Sequence, residues 1–300
     1  MKSIQVQANN KINLAGKLMD VTFGDGKLSD GRPYQRATIT VRVTQTYGGK
    51  EETSDIQQSM FATEFTSTGK PNPAWKSLND LKLMKTAQNV GIDNASHVRC
   101  TGTSLQENNF VSRSGQLING WQLRGSFINE AKVADVASFV TDIYIMDMKD
   151  EVNRDGDTTG RMIIKGGIVQ YGGKLDVVEF VVESPDTVEY ISRNWELNST
   201  VQVKGRIRVT SQEEEVQASG WGEDVPETTT RFVRELIVTT GSDEPYEEDF
   251  AYDPVEIKKA FNERKAMIEQ MQINARQASP KHGAGSANAA EASSKKYDWE

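Results

Sequence analysis

Between Pro33 and Lys50 the chain reads PYQRATITVRVTQTYGGK, with Ile39, Val41 and Val43 on one parity and Tyr34, Arg36, Thr38, Thr40 and Arg42 on the other. A strand here buries an aliphatic side and presents a side of cation, hydroxyl and aromatic ring. That mixture performs no covalent chemistry. It suits a ligand that joins phosphate to flat bases, because a guanidinium neutralises the one and a ring stacks on the other. The same pattern also describes an ordinary half-exposed strand, in which Thr and Arg are common outward residues.

Residue types that support catalysis or cofactor binding are sparse. No GxxxxGK[ST] loop is present, and the two GGK turns lack the spacing and the following helix that cradle phosphates. His97, His282 and Cys100 are too few for a Cys/His zinc site. Glu151, Asn153, Asp155, Gly156 and Asp157 resemble the start of a calcium loop, but Met162 stands where the bidentate Glu belongs, so a turn is the better reading. No Ser, Cys or Lys lies in a nucleophile motif. The expectation is a binding protein rather than an enzyme, without metal or cofactor.

The elements that would hold these residues come in two copies. The closing YGGK of the first stretch, Tyr47 to Lys50, returns as Tyr171 to Lys174, each time between segments of strand-like composition. In the first copy INLAGKLMDVTF reads as a strand interrupted at Gly16, and GDGKLSDG as a turn-rich loop ahead of the second strand. A third strand is expected near Ser59 to Phe65. SLNDLKLMKTAQNVG has helical spacing and a Gly stop, and HVRCTG and QLINGWQLRGSF read as fourth and fifth strands. Trp121 shares parity with Leu117 and Leu123 and is expected in the core. The segment TSTGKPNPAWK reads as an insertion that the second copy lacks. That second copy, from about Ala137, repeats the order with FVTDIYIMDM, RMIIKGGIVQYGGKLDVVEFVVE, a helix over DTVEYISRNWELN, then VQVKGRIRVTS and RFVRELIVTT. The order in each is β-β-β-α-β-β, in an all-β chain.

Three hundred residues with 36% hydrophobic content are enough for two cores. A single cysteine excludes an internal disulfide framework, and no charged-then-apolar leader or long apolar run is seen, so a cytoplasmic setting without membrane contact is expected. The net charge of −8 is uneven: 16 Lys and Arg face 12 Asp and Glu in residues 1–135, against 11 and 19 in residues 136–241. A polyanion would therefore be gripped mainly by the first copy. Residues 242–256 hold seven carboxylates with interspersed aromatics, and could fold back over a basic face as a mimic of nucleic acid. Residues 254–275 read as an amphipathic helix opened by Asp253-Pro254. From Ala278 a Gly/Ala/Ser-rich linker leads to KKYDWE, an aromatic-acidic peptide.

Five strands with a helix between the third and fourth is the order of an OB-fold, a small Greek-key barrel whose second and third strands bind oligonucleotides. The chain resembles a tandem pair of such barrels. INLAGKL is similar to the first strand of bacterial-type single-stranded DNA-binding proteins, and a barrel, a Gly/Ala/Ser-rich linker and a short acidic end is that family's plan. The resemblance, possible for a phage-encoded member, implies sequence-nonspecific binding of single-stranded DNA in replication, recombination or repair. It divides the chain into a main binding barrel (1–135), a second barrel for packing, oligomerisation or auxiliary binding (136–241), an acidic segment with a helix (242–277) and a flexible tail (278–300). Parity then nominates Tyr34, Arg36, Arg42, Arg99 and Arg124 for backbone contacts and base contacts, with Tyr47, Phe61, Phe65 and Trp75 for stacking, although Phe61 and Phe65 could equally face inward with Thr63. Tyr297, Asp298, Trp299 and Glu300 are the candidate partner-binding tail for replication or recombination proteins, though that family's usual Pro-Phe ending is missing. A homodimer is one expected assembly. The alternative is that the barrels serve as a structural or assembly adaptor, such as a virion component, and bind protein.

Overall fold

The computed structural model describes residues 1–112, 115–153, 155–216 and 227–278, with only the backbone described at 212–216, 227–231 and 278. The tail residues Tyr297, Asp298, Trp299 and Glu300 lie outside the described residues. The chain is mostly β. Its strands are β1 (Asn10–Lys27), β2 (Pro33–Tyr47), β3 (Lys50–Thr63), β4 (His97–Thr101), β5 (Ser104–Glu107), β6 (Phe110–Val111), β7 (Leu117–Ile118), β8 (Trp121–Gly125), β9 (Phe127–Glu130), β10 (Val136–Val152), β11 (Thr158–Val169), β12 (Leu175–Val182), β13 (Thr200–Val216) and β14 (Glu227–Gly241). The helices are α1 (Pro73–Leu81), α2 (Ala87–Val90), α3 (Pro185–Asn194) and α4 (Pro254–Ala278).

Strand pairing in the first half returns to its starting point. β1 pairs antiparallel with β2, and β2 with β3, while β3 meets β8 in parallel through Gln58 opposite Leu123 to Met60 opposite Gly125. After one residue β8 continues as β9, which pairs with β4, and β4 pairs with β1. The second half repeats the circuit as β10, β11, β12, β14 and β13, again with a single parallel step, Val181 opposite Ile237 and Val182 opposite Val238. The circuits are joined where β1 and β10 pair antiparallel, from Asn10 opposite Thr141 to Ala15 opposite Val136.

The alternation that predicts these strands also fills the core. Ile39, Val41 and Val43 of β2 and Ile56, Met60 and Ala62 of β3 point inward with Leu14, Leu18, Val98 and Leu123, all essentially solvent-free. Phe139, Ile143, Ile164, Phe180 and Val203 do the same in the second half, Phe139 and Phe180 in ring contact at 5.6 Å. Trp121 is buried, as its parity predicts.

Several local expectations are corrected. The third strand begins at Lys50 rather than Ser59, because Gly48 and Gly49 at φ 56° and 80° close a tight hairpin and inward Ser54, Ile56 and Gln58 extend the alternation upstream. The segment around Pro73 belongs to a helix: Asn72 caps α1, its side chain accepting from the Ala74 amide at 3.0 Å, and Pro73 occupies the first turn. The second YGGK also closes a hairpin, between β11 and β12, whose register runs to Val169 opposite Leu175, but it does so through a 3-10 turn at Tyr171–Gly173. The expected fourth and fifth strands are broken into β4 through β9, with β6 and β7 forming a separate two-stranded ribbon.

The acidic segment does not cover the first half's outer face. It is pinned to the second half, where Tyr246 donates its hydroxyl to Asp142 at 3.0 Å and its amide to the Thr200 carbonyl at 2.8 Å. Tyr252 donates its amide to Thr200 Oγ1 and its hydroxyl to the Val6 carbonyl. Desolvation, reinforced by Asp142, pushes the Tyr246 hydroxyl up to about 12, so it stays a donor. α4 then packs through Ile257 and Ala260, and Arg264 clasps the half-turned-in Glu107 at the end of β5. Among the described residues no helix is long and apolar enough to cross a membrane.

Candidate nucleic-acid interface

β2, β3 and β8 lie side by side, so outward residues from three distant stretches share one face. Arg36 is directly opposite Phe61, and Tyr34 directly opposite Thr63. The Tyr34 and Phe61 rings are 5.3 Å apart between centroids and tilted by 32°. From β8, the Arg124 guanidinium stands 5.9 Å from the Phe61 ring. Neither Arg36 nor Arg124 makes an ion pair with a described residue, and Phe61 remains 39% exposed. Thr38, Ser59 and Thr63 supply hydroxyls on the same parity.

The neighbouring strand is shaped to let these side chains lie down. Gly24 is opposite Arg36 and Gly26 opposite Tyr34 on β1. A Cβ at Gly24 would come within 2.7 Å of Arg36 Nε, and one at Gly26 within 2.7 Å of Tyr34 Oη. Both glycines belong to a segment that reads as turn signal in the sequence. Here they sit inside a strand and keep its surface low beneath a cation and a ring.

Tyr34, Arg36, Phe61 and Arg124 are thus brought together, and Phe65, 46% exposed and bridged to Pro71, extends past the end of β3 on the same hairpin. The other candidates sit elsewhere or are engaged. Arg42 forms a bidentate pair with Asp55 across the β2–β3 ladder at 2.8 and 2.7 Å, a contact that raises its pKa. Tyr47 lies beneath Arg206 at 4.2 Å and donates its hydroxyl to Gln45. Trp75 rides on α1, partly buried against the core. Arg99 is exposed on β4, with β1 between it and β2. Cys100, also on β4, is buried, and desolvation pushes its thiol up to about 12. No group of three or more potential metal ligands occurs among the described residues.

Three arginines of the second half, Arg161, Arg206 and Arg208, are engaged by carboxylates. Arg161 pairs with Glu235 and, at 3.4 Å, with Glu151. Arg208 pairs with Glu183 and, at 2.6 Å, with Glu235; Arg206 reaches Glu183 at 3.1 Å and also Glu52 of the first half. Desolvation raises the Glu235 pKa, but its hydrogen bonds to Arg161 and Arg208 more than offset this, and the net shift is downward. The signal that finds these pairs in a sequence is weak, since partners such as Glu52 and Arg206 lie 154 residues apart.

Comparison with known proteins agrees with the fold. The wild-type single-stranded DNA binding protein from Thermus aquaticus is similar in structure over 81% of this chain and 95% of that chain, with a TM-score of 0.51 and 10% identity. A deletion mutant of the same protein gives 0.49 at 12% identity, covering 81% of this chain and 97% of that one. No curated protein matches the sequence. The model of the YorF family matches residues 8–274, nearly the whole described chain, and on that match the chain belongs to the YorF family.

Proposed function

We propose that this chain binds single-stranded DNA without reading its sequence, on the outer face of β1, β2, β3 and β8. The observation that carries the reading is the cluster of Tyr34 and Phe61 in ring contact, flanked by Arg36 and Arg124 that have no acidic partner among the described residues. Each closed circuit of five strands is read as an OB barrel, the first being the main binding unit (1–135) and the second (136–241) a brace. The likeness in fold to a single-stranded DNA binding protein supports this.

In this mechanism one or two bases stack on Phe61 and Tyr34, each contributing about 1–3 kcal/mol by a contact that every base can make. Arg36 and Arg124 neutralise flanking phosphates, and release of condensed counterions makes affinity fall with salt by a slope of roughly 0.7 per phosphate contacted. Phe65 lengthens the stacking track. No bond is made or broken, so the activity is non-enzymatic protection of exposed strands in replication, recombination or repair. The terminal residues Tyr297 to Glu300 are the proposed recruiting peptide for proteins of those processes.

The test is anisotropy of a labelled oligo-dT titrated with protein at two salt concentrations. The expected result is binding that weakens with salt and is lost in a Tyr34→Ala, Phe61→Ala double variant whose circular dichroism is unchanged. Absence of binding at micromolar protein would transfer the assignment to a protein-binding adaptor.

A further inference from the structure

The two circuits brace each other in the same way but not to the same extent. β13 leaves β10 after Arg206 and continues to Val216 paired only with β14, an arm of the second half that reaches across to the first. It lies along β3: the Val209 amide donates to Ser54 Oγ at 3.0 Å, and Arg206 pairs with Glu52. The reciprocal arm of the first half follows β5, and it too touches the opposite third strand, where Glu107 accepts from the Val177 amide of β12 and donates its own amide to Asp176. This arm is short, because β6 and β7 hold only two residue pairs. Where β13 covers β3, no equivalent strand among the described residues covers β12.

What remains is a groove of about 860 Å³ between β12, β14, the β6–β7 ribbon and α4. β12 pairs with β14 only at Val181 and Val182, so the backbone of Glu179, two residues from the Val177 amide that Glu107 takes, faces the groove with no described strand paired to it. Phe110 and Phe232 stand at its lips, 50% and 66% exposed, over walls that include Val177 and Val181. Charges in the groove are balanced: Arg264 is held by Glu107, and Lys165 is directly opposite Glu179. Arg234 is the exception. It lies on the Trp121 ring at 4.2 Å and has no acidic partner among the described residues.

A polyanion gains little from such a groove, since Glu179 and Glu235 line it beside the paired cations. An extended peptide gains more: a strand edge for its backbone, apolar walls for alternate side chains and one cation for a carboxylate. We propose that this groove is a docking site for an extended segment of a partner protein, with apolar side chains on alternate positions and an acidic residue facing Arg234, filling the place that β13 fills in the other half.

The experiment pans a random peptide library displayed on phage against the full chain, in parallel with Arg234→Glu and Phe232→Asp variants, and measures selected peptides by calorimetry. The expected result is enrichment of peptides with alternating apolar residues and a carboxylate, weakened about tenfold or more by either variant, while oligo-dT affinity and circular dichroism are unchanged. A more conservative Arg234→Gln variant, which keeps the packing on Trp121, is expected to weaken them by a smaller factor and guards against misfolding of the charge reversal. No enrichment, or peptides retained equally by all three variants, overturns the proposal. So does a drop in oligo-dT affinity in a well-folded Arg234→Gln chain, which would assign the groove to nucleic acid.

Discussion

The two halves of this chain share a strand circuit and differ in what their arginines do. On the first half Arg36 and Arg124 stand beside exposed rings without acidic partners among the described residues, and on the second Arg161, Arg206 and Arg208 are tied to Glu151, Glu235, Glu183 and Glu52. A guanidinium held by two carboxylates has little attraction left for a phosphate, and pulling it away exposes the carboxylates as well. Local pairing, rather than the number of cations, therefore separates the face proposed to bind a polyanion from one whose cations are already taken up within the chain. The contrast also refines the charge gradient along the chain: the excess acid of the second half is partly spent on its own arginines.

Four measurements would break or sharpen this contrast. Phe61→Ala should weaken oligo-dT binding by about 1–3 kcal/mol, and adding Tyr34→Ala should cost less than a second full share, because the rings touch. Arg208→Ala should instead leave oligo-dT affinity nearly unchanged while lowering unfolding free energy by roughly 2 kcal/mol, since it takes one of two arginine partners from each of two partly buried carboxylates; urea titration reads the second effect. A strong loss of DNA affinity there would erase the distinction. Arg36→Ala and Arg124→Ala should each reduce the salt slope by roughly 0.7, a change that Arg42→Ala should not reproduce, because Asp55 already holds that side chain.

The smallest effect concerns pH. Because the folded-state pKa of Glu235 is depressed, its contribution to stability is present above the ordinary Glu value and is lost as pH falls through the lower folded value. Urea midpoints measured from neutral pH down into the acid range should therefore fall more steeply in the parent than in Glu235→Gln. Parallel curves would mean that the second half's network does not hold its charge as described.

Strand composition and helix order were legible because they rest on short-range patterns. The parity of Ile39, Val41 and Val43 reports burial wherever the strand ends up, and the same rule places Tyr34, Arg36 and Arg124 outward, whereas the direction of Phe61 stays open until its register opposite Arg36 is known. What parity cannot report is who stands opposite. Asp55 meets Arg42 only because the Gly48-Gly49 hairpin fixes the register, and Arg206 covers Tyr47 only because the second half's arm crosses to the first. Trp75 misled for a different reason: Pro73, read as part of an irregular insertion, is the first-turn proline of a helix that Asn72 caps. The glycines at 24 and 26 hold the least sequence signal, since a turn and a lowered strand surface call for the same residue.

The pairing of β1 with β10 occurs within one chain, and the two halves that it joins are connected by only five residues, from Ala131 to Asp135, between β9 and β10. A seam of this kind between separate molecules would come apart as they become scarce; a tether this short instead holds its two edges at an effective concentration on the order of millimolar. Each copy of the polypeptide consequently carries the proposed gripping face and its brace in fixed ratio, and dilution has no purchase on that ratio.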